Sequence, residues 1–575
     1  MPDCPFNPAA ENIADLIYRF GSLQSERWNN TSSLCADYVS SDYIILHMPL
    51  TPDAVSMRVH SYYMIPSLFS PLDYNAMEAS GILSAFNSPA LNNQGKGVLI
   101  GLVDTGIDYR SPLFQNPDGT TRIAGIWDQS VPIEEDVLPT GVPDYYPMGG
   151  SSYGTEYTRE QINEALRSDS PFDLVPSTDE TGHGTYAAAL ACGSAVPEEE
   201  FLGAAPEASI AVVKLKQAKQ YLRDYYFIPS DAECYQETDL MLGIRYLNLL
   251  ADSLNLPLVI CFTVGSNMGG HIGTLPLPNL IENYGSLANH IAVIGTGNEA
   301  DQRHHYANTL TNGSKNKTVE IRVGENVSGF SMELWTDIPN TSSISIISPS
   351  GEDTSRIPFH AGSSAELDFL FERTKVSVDY RILVEKTTSE LVFFRFNSPA
   401  AGIWKIVIEP ITVTDGQFHM WLPVTEFIDG EVYFLESDPY YTLTNPANTQ
   451  SPVVVSYYNG TTNAVSQTSG RGYTRSGQIK PDLTAPGINI RGPVSNGRFE
   501  THSGSCAACA VTAGAVALML EWLLYIQKAP GIDSFQIRSL LILGALRPDT
   551  MEYPNRIWGY GQLNLYHTFE VMRKL

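Results

Sequence analysis

Three short motifs carry side chains that together could break an amide bond. They are VDTGID (103–108) with Asp104, TGHGT (181–185) with His183, and HSGSCAAC (502–509) with Ser505. In such a set the carboxylate orients the imidazole, the imidazole removes the hydroxyl proton, and the oxygen attacks the carbonyl carbon. Each motif alone is weak, because Asp-Thr-Gly turns, structural histidines and helix-capping serines are common. Together they predict nucleophilic acyl transfer.

Two further groups could stabilise the oxyanion of that reaction. Asn298 lies in VIGTGNEA (293–300), after a short apolar run and Gly297. Its amide N–H is predicted to donate to the developing negative charge, as is the backbone N–H of Ser505 at the start of an apolar helix. Losing one such donor typically costs roughly 2.7–4 kcal/mol of transition-state stabilisation. Without the other motifs, an asparagine in a turn would be the simpler explanation.

The motifs lie next to elements of an α/β fold. Short apolar runs indicate buried parallel strands, and stretches of helical character separate them. The predicted strands are 98–103, 210–215, 258–264, 291–296 and 451–457, and the predicted helices are 184–192, 238–254 and about 505–524. This alternation predicts a parallel sheet with helices on both faces. Asp104 then falls at the carboxyl end of a strand, where such sheets bind their ligands.

Two segments do not follow that alternation. Residues 311–437 contain short alternating strands separated by Gly, Pro, Asn and Ser, which is typical of an all-β sandwich or jelly roll. This unit would interrupt an α/β domain made of residues 76–310 and 438–575. Residues 1–75 combine a helix predicted over 11–20 with a strand predicted over 43–48, which indicates a small α+β unit.

The composition argues against some partners. The 575 residues carry a net charge of −28, which disfavours nucleic acid and anionic membranes as partners. We find no secretory signal and no apolar run long enough to span a bilayer. The seven cysteines form no pattern and are expected to be free thiols in a reducing compartment. No calcium loop of the EF-hand type occurs, and the chemistry requires no metal or other cofactor.

The motifs, in the order Asp, His, Asn, Ser, resemble those of the subtilase family of serine proteases. The resemblance covers about 95–310 and 450–575. It implies a subtilisin-like sheet, a triad of Asp104, His183 and Ser505, and an oxyanion hole formed by Asn298 and the Ser505 N–H.

The resemblance also implies a substrate-binding edge and reveals one departure. LVICFTVGS (258–266) would line the pocket for the substrate side chain, with Gly265 and Ser266 at its rim. Around the nucleophile the family usually has Gly-Thr-Ser-x-Ala-Ala/Ser-Pro, and this chain has SGSCAAC (503–509). The turn before Ser505 therefore leaves the family pattern, which bears on the rate of turnover.

Several longer stretches resemble the clostridial Csp group of subtilases, which is linked to spore germination. They are GKGVLIGLVDTGIDY, DGTTRIAGIWDQS, YQETDLMLGIRYL, NMGGHIGT, GNEADQRHHY and YPNRIWGYGQLNLYHTF. This resemblance implies a prodomain at 1–75 that is cut off by the enzyme itself and stays bound, and a jelly-roll insert at 311–437. It also implies limited proteolysis of a precursor of a spore cortex hydrolase, in the cytoplasm or the spore of a Gram-positive bacterium.

Two other functions remain open. A catalytically impaired pseudoprotease could act as a germination signalling scaffold, and the altered turn at Ser503 and Gly504 favours this alternative. The β unit could also bind carbohydrate, with Trp335, Trp404 and Trp421 stacking on sugars, although aromatic residues of β-sandwiches more often lie in the core.

Overall fold

The N-terminal unit, residues up to 71, is built around a small antiparallel sheet. The computed structural model describes residues 6–19, 35–51, 55–71, 79–86, 91, 93–132, 153–311, 316–354, 356–357, 362–384, 386–529 and 531–574. The sheet has the order β1-β3-β2, with β1 (Ile13–Arg19), β2 (Ala36–Tyr38) and β3 (Tyr43–Pro49). The strand predicted over 43–48 is confirmed.

The helix predicted over 11–20 is wrong where the structure describes these residues. Strand β1 pairs with β3 along its whole length, from Ile13 opposite Pro49 to Arg19 opposite Tyr43. Its first five residues are all buried, so both faces of the strand are covered. A strand covered on both faces does not need apolar and polar residues to alternate. Its apolar residues can therefore fall at the spacing expected of a helix. Cys35 of this unit is disulfide-bonded, so the expectation of free thiols fails there.

The chain then builds the first part of the α/β domain. Strand β4 (Leu68–Pro71) ends the N-terminal unit. The strands of this part of the domain are β5 (Leu99–Asp104), β6 (Ile123–Asp128), β7 (Thr155–Thr158), β8 (Ser209–Lys214), β9 (Tyr235–Gln236), β10 (Leu258–Phe262), β11 (Val264–Gly265) and β12 (His290–Gly295). The helices are α1 (Ile82–Phe86), α2 (Arg159–Arg167), α3 (Pro171–Leu174), α4 (His183–Cys192), α5 (Gln220–Tyr226), α6 (Glu237–Leu254) and α7 (Pro276–Gly285).

Two antiparallel sheets follow and share one apolar core. The strands are β13 (His305–Thr309), β14 (Lys317–Val323), β15 (Gly329–Asp337), β16 (Thr341–Ile347), β17 (Ser364–Phe369), β18 (Thr374–Ile382), β19 (Ser389–Asn397), β20 (Gly402–Thr412), β21 (Gln417–Trp421) and β22 (Val432–Phe434). Their orders are β13-β21-β15-β19-β18-β17 and β16-β20-β14-β22. Trp335, Trp404 and Trp421 are fully buried, so they cannot stack on sugars as the carbohydrate-binding alternative requires.

The second part of the α/β domain completes the main sheet. It comprises β23 (Val453–Tyr458), β24 (Leu483–Pro486), β25 (Ile490–Pro493), β26 (Phe499–His502), α8 (Ser505–Leu520), α9 (Ser534–Gly544) and α10 (Leu565–Met572). The main sheet has the order β24-β23-β12-β10-β5-β8-β6-β7. All neighbouring strands are parallel except β7, which is antiparallel to β6. The predicted α/β sheet is confirmed, with one antiparallel edge strand added.

Helix α8 lies in the centre of the α/β domain. Every one of its residues is buried, and it packs on α4 and on the strands around β12. With the turn that continues it to Ile526, the helix is long and apolar enough to cross a membrane, but 83% of its most apolar stretch is buried inside the protein. This burial fixes its first residues at the carboxyl ends of β10 and β12.

Candidate active site

Asp104 and His183 meet at the carboxyl edge of the main sheet. Asp104 is the last residue of β5 and is fully buried, and His183 is the first residue of α4. The Oδ1 atom of Asp104 lies 2.6 Å from Nδ1 of His183. Its other oxygen accepts a hydrogen bond from the Thr263 hydroxyl, and the Thr105 N–H donates to Oδ1 at 2.7 Å. The carboxylate is thus held by three neighbours and fixes the orientation of the imidazole.

The charges of this pair stabilise each other. Burial alone raises the pKa of Asp104, but the charge of His183 and the hydrogen bonds from His183, Thr263 and Thr105 lower it overall. Burial alone lowers the pKa of His183, but Asp104 and Cys506 raise it well above its ordinary value. An imidazole in this setting holds a proton readily, which is what a general base must do during catalysis.

Asp179 positions the loop that carries His183, and the sequence motifs did not point to it. It is buried, and its Oδ1 accepts hydrogen bonds from the Thr105 hydroxyl at 2.8 Å and the Gly182 N–H at 3.0 Å. Its Oδ2 accepts from the N–H and the hydroxyl of Thr185, at 2.8 and 2.6 Å. Its place between the two motifs, four residues before His183, is the signal that could have found it.

The sequence predicts that the Ser505 hydroxyl lies at the His183 ring, whereas the structure places it at the end of strand β12. Its Oγ accepts a hydrogen bond from the Gly297 N–H at 3.1 Å. The Cys506 thiol hydrogen-bonds the His183 ring. The structure therefore brings Asp104 and His183 together, and it puts a thiol at the imidazole where the sequence predicts a hydroxyl.

One of the two predicted oxyanion donors, the Ser505 N–H, already has a hydrogen-bond partner within the protein. The Ser505 N–H donates to Oδ1 of Asn298 at 3.2 Å, so that N–H is occupied. Among the described residues, no acceptor contacts the amide N–H groups of Asn298, which is half-buried. Helix α8 still offers donors, because the first N–H groups of a helix have no partner within it. Among the described residues no acceptor contacts the Cys506 N–H.

A strand of the N-terminal unit occupies the groove beside this site. Strand β4 lies between β11 and β9 in a small antiparallel sheet, with Ser70 opposite Gly265. Glu237 holds the start of β4, because its N–H donates to the Ser67 carbonyl at 2.8 Å and its carboxylate accepts from the Ser67 N–H at 3.1 Å. The predicted binding residue Gly265 thus contacts an extended peptide segment.

Ser266, the other predicted binding residue, has a different position. It is buried, and its N–H and carbonyl pair with the carbonyl and N–H of Asn445 at 3.1 and 2.7 Å. Its hydroxyl accepts from the Met268 N–H at 3.2 Å. Among the described contacts Ser266 therefore supports the groove and does not face the segment in it.

A buried polar cluster joins the N-terminal unit to the α/β domain. The Lys219 ammonium contacts Oδ2 of Asp15 at 2.8 Å and donates to the carbonyls of Pro8 and Ile13 at 2.5 and 3.0 Å. His47 contacts the other oxygen of Asp15 at 2.7 Å and Asp37 at 3.1 Å. Burial alone lowers the pKa of His47, but these carboxylates raise it to about 9. Local sequence patterns do not reveal this cluster, because its members lie far apart in the chain.

No group of three or more His, Cys, Asp or Glu side chains within the described ranges could hold a metal ion. A buried carboxylate, an imidazole and a nucleophilic side chain at a helix N-terminus can transfer an acyl group without further components.

Comparison with known proteins identifies a family. The profile of the subtilase family matches residues 95–299 and 435–561, which include Asp104, His183, Asn298 and Ser505. The solved structure of the Clostridium perfringens CspB protease is similar over 87% of this chain and 100% of that chain, with 30% identity and a TM-score of 0.75.

Curated relatives match shorter regions. The subtilisin-like protease SBT3.5 of Arabidopsis thaliana is 27% identical over 172 residues, which is 28% of this chain and 21% of that protein. The membrane-bound transcription factor site-1 protease of Mus musculus is 28% identical over 139 residues, 23% of this chain and 13% of that protein. The chain thus spans about a fifth or less of the length of these relatives. The family profile covers more than half of the chain, and the chain belongs to the subtilase family of subtilisin-like serine proteases.

Proposed function

We propose that this protein is an endopeptidase that hydrolyses peptide bonds through an acyl-enzyme formed at the start of α8. His183 is the general base, Asp104 orients it, and Asn298 stabilises the oxyanion; the sequence motif assigns the nucleophile to Ser505. The observation that carries this proposal is the 2.6 Å hydrogen bond between Asp104 and His183, formed beside the N-terminus of that helix. No step of this mechanism requires a cofactor.

We further propose that the enzyme cuts its own chain between about Pro66 and Ser80. Strand β4 supports this, because it lies extended between β11 and β9 as a peptide substrate would. The proposed cleavage region includes residues 72–78, which lie outside the described residues. The N-terminal unit is then the prodomain.

After the cut the prodomain would stay bound. The buried Lys219–Asp15 contact at 2.8 Å supports retention, as does the 2.6 Å hydrogen bond from the Tyr62 hydroxyl to Glu333 of the β-sandwich. Both would survive cleavage after residue 66. A bound unit that contacts only the folded enzyme adds to the apparent stability of that enzyme. The prodomain is thus proposed as the enzyme's first partner.

The physiological role follows from the resemblance to the Csp group. By that analogy the enzyme performs limited proteolysis of a precursor protein, a spore cortex hydrolase, in the cytoplasm or spore of a Gram-positive bacterium. The similarity to the CspB protease over 87% of the chain supports the analogy. The substrate itself is a proposal, because a shared fold does not fix a substrate.

The test compares wild type with His183→Ala, expressed as full chains. Wild type is expected as two pieces that migrate together in gel filtration, and His183→Ala as one chain. The matched control is His290→Ala, because the polar contacts of the His290 ring with described residues are to Ala288 and Asp252 near the surface. Mass spectrometry of the pieces locates the cut. A wild-type chain that stays whole and cleaves no peptide would support the alternative of a pseudoprotease scaffold.

A further inference from the structure

The first turn of α8 carries two adjacent candidates for the nucleophile, Ser505 and Cys506. Successive residues of an α-helix are turned by about 100° around its axis. Only one of the two side chains can therefore face His183. The contacts of each side chain show which one does.

The Ser505 side chain faces the end of strand β12. Its hydroxyl oxygen accepts from the Gly297 N–H at 3.1 Å. The close packing in this direction is visible at Gly295, where an added Cβ would lie 3.0 Å from Ser505 Oγ. Ser505 is fully buried in this position. Its hydroxyl thus contacts the sheet backbone.

The Cys506 side chain faces the catalytic pair. Its thiol is a hydrogen-bond partner of the His183 ring, whose Nδ1 is 2.6 Å from Asp104. Burial raises the pKa of this thiol to about 12, although His183 acts to lower it. The thiolate is the nucleophilic form of a cysteine, and the His183 ring lies where it can take the thiol proton.

The oxyanion donors also favour Cys506. The hole next to a nucleophile at a helix start is formed by a backbone N–H of that helix and a nearby amide. The Ser505 N–H is used by Asn298 Oδ1 at 3.2 Å, and no described acceptor contacts the Cys506 N–H. The free donors are thus the Cys506 N–H and the Asn298 amide.

We propose that Cys506 is the nucleophile and that Ser505 is a positioning residue whose N–H holds Asn298. This inference rests on the proposed function and changes one residue in it. The Cys506 thiol gives its proton to His183 as sulfur bonds to the carbonyl carbon. The C–N bond then breaks and His183 protonates the leaving amine. Water adds to the thioester and gives a proton to His183. The C–S bond breaks, sulfur takes that proton back, and the carboxylic product leaves.

Cys509 shows what a cysteine with only a packing role looks like in the same helix. It is fully buried, and its Sγ lies 3.7 Å from Sγ of Cys261. Its other contacts are the carbonyls of Phe262 and Val293, at 3.4 and 3.2 Å. None of these contacts is with a proposed catalytic group, so Cys509→Ala is the matched control for Cys506→Ala.

The first test follows self-cleavage and peptide hydrolysis in full chains of wild type, Ser505→Ala, Cys506→Ala, Cys506→Ser and Cys509→Ala. We expect Cys506→Ala to be slower by about 10³-fold or more. Ser505→Ala and Cys509→Ala should keep at least about a tenth of the wild-type rate, and Cys506→Ser should recover activity. If the Cys506→Ala chain cuts itself and hydrolyses peptides at the wild-type rate, the proposal is overturned.

The second test needs no variant and covers the case in which substitutions impair folding. Wild type is incubated with p-nitrophenyl acetate, quenched in acid and mapped by tandem mass spectrometry. The acetyl group is expected on Cys506, as a thioester that neutral hydroxylamine removes. An acetyl group on Ser505, or none on Cys506 in an active preparation, overturns the inference and leaves the endopeptidase standing. A wild-type chain that cuts neither itself nor any peptide overturns the proposed function instead.

Discussion

Lys219→Met should loosen the N-terminal unit from the α/β domain. The Lys219 ammonium is buried and contacts Asp15 Oδ2 at 2.8 Å, and it donates to two carbonyls of the N-terminal segment. Methionine keeps the length of the side chain and removes the charge and the donors. The substitution thus leaves a buried carboxylate and two carbonyls without this partner.

The magnitude follows from what Asp15 retains. Removing one partner of a buried ion pair typically costs about 3–5 kcal/mol. His47 still contacts Asp15 Oδ1 at 2.7 Å, and the Gln236 amide still donates to Oδ2 at 2.7 Å. These two contacts partly satisfy the hydrogen-bonding capacity of the carboxylate. We therefore expect the loss of stabilisation to lie at the lower limit of that range, about 3 kcal/mol. That loss corresponds to a change of about 10²-fold in the opening equilibrium.

The assay is amide hydrogen exchange of strand β1 in the full chain, with His183→Ala present to keep the chain whole. Protection of Ile13–Arg19 is expected to fall by about 10²-fold. The control is Lys375→Met, because the Lys375–Asp368 pair at 3.4 Å has side chains 71% and 61% exposed, and such pairs contribute little. Unchanged protection of β1 in Lys219→Met would refute the reasoning that the buried contact holds this unit.

Two further predictions concern the oxyanion and pH. Asn298→Ala should lower kcat by about 10²–10³ with little change in KM, because its amide donates mainly in the transition state; an unchanged kcat in steady-state assays would contradict that role. The pKa of His47 is about 9 in the folded chain, above its unfolded value of about 6.5. The stabilisation by its protonated form is therefore complete below pH 6.5 and is lost as pH rises through 9. Calorimetry should show wild-type Tm falling more steeply from pH 7 to 10 than the Tm of His47→Gln, and equal slopes would count against this assignment.

The sequence alone predicted the α/β sheet and the contact between two members of the proposed catalytic set, Asp104 and His183. Buried parallel strands such as β5 and β12 are continuous apolar runs, and their pattern is visible without knowledge of their neighbours. Asp104 is the last residue of such a strand, and His183 is the first residue of a helix. Local order along the chain therefore placed them at the same edge of the sheet.

The structure of residues 13–19 was decided by tertiary contacts. The spacing of Ile13, Leu16 and Ile17 fits a helix as well as a strand covered on both faces. The choice depends on β3, which lies about thirty residues later and pairs with β1 over its full length. A local pattern contains no information about such a distant partner, so the prediction of a helix failed.

Whether Ser505 or Cys506 contacts His183 also depended on the tertiary structure. The stretch SGSC (503–506) can be aligned with Gly-Thr-Ser in two ways, and the second puts Gly504, Ser505 and Cys506 on those positions. The two alignments differ by one residue, or about 100° around the helix axis. Only the packing of α8 on the sheet sets that rotation, since it turns Ser505 to Gly297 and Cys506 to His183. The sequence thus predicted which turn carries the nucleophile. The tertiary structure indicated which side chain of that turn, Ser505 or Cys506, faces His183.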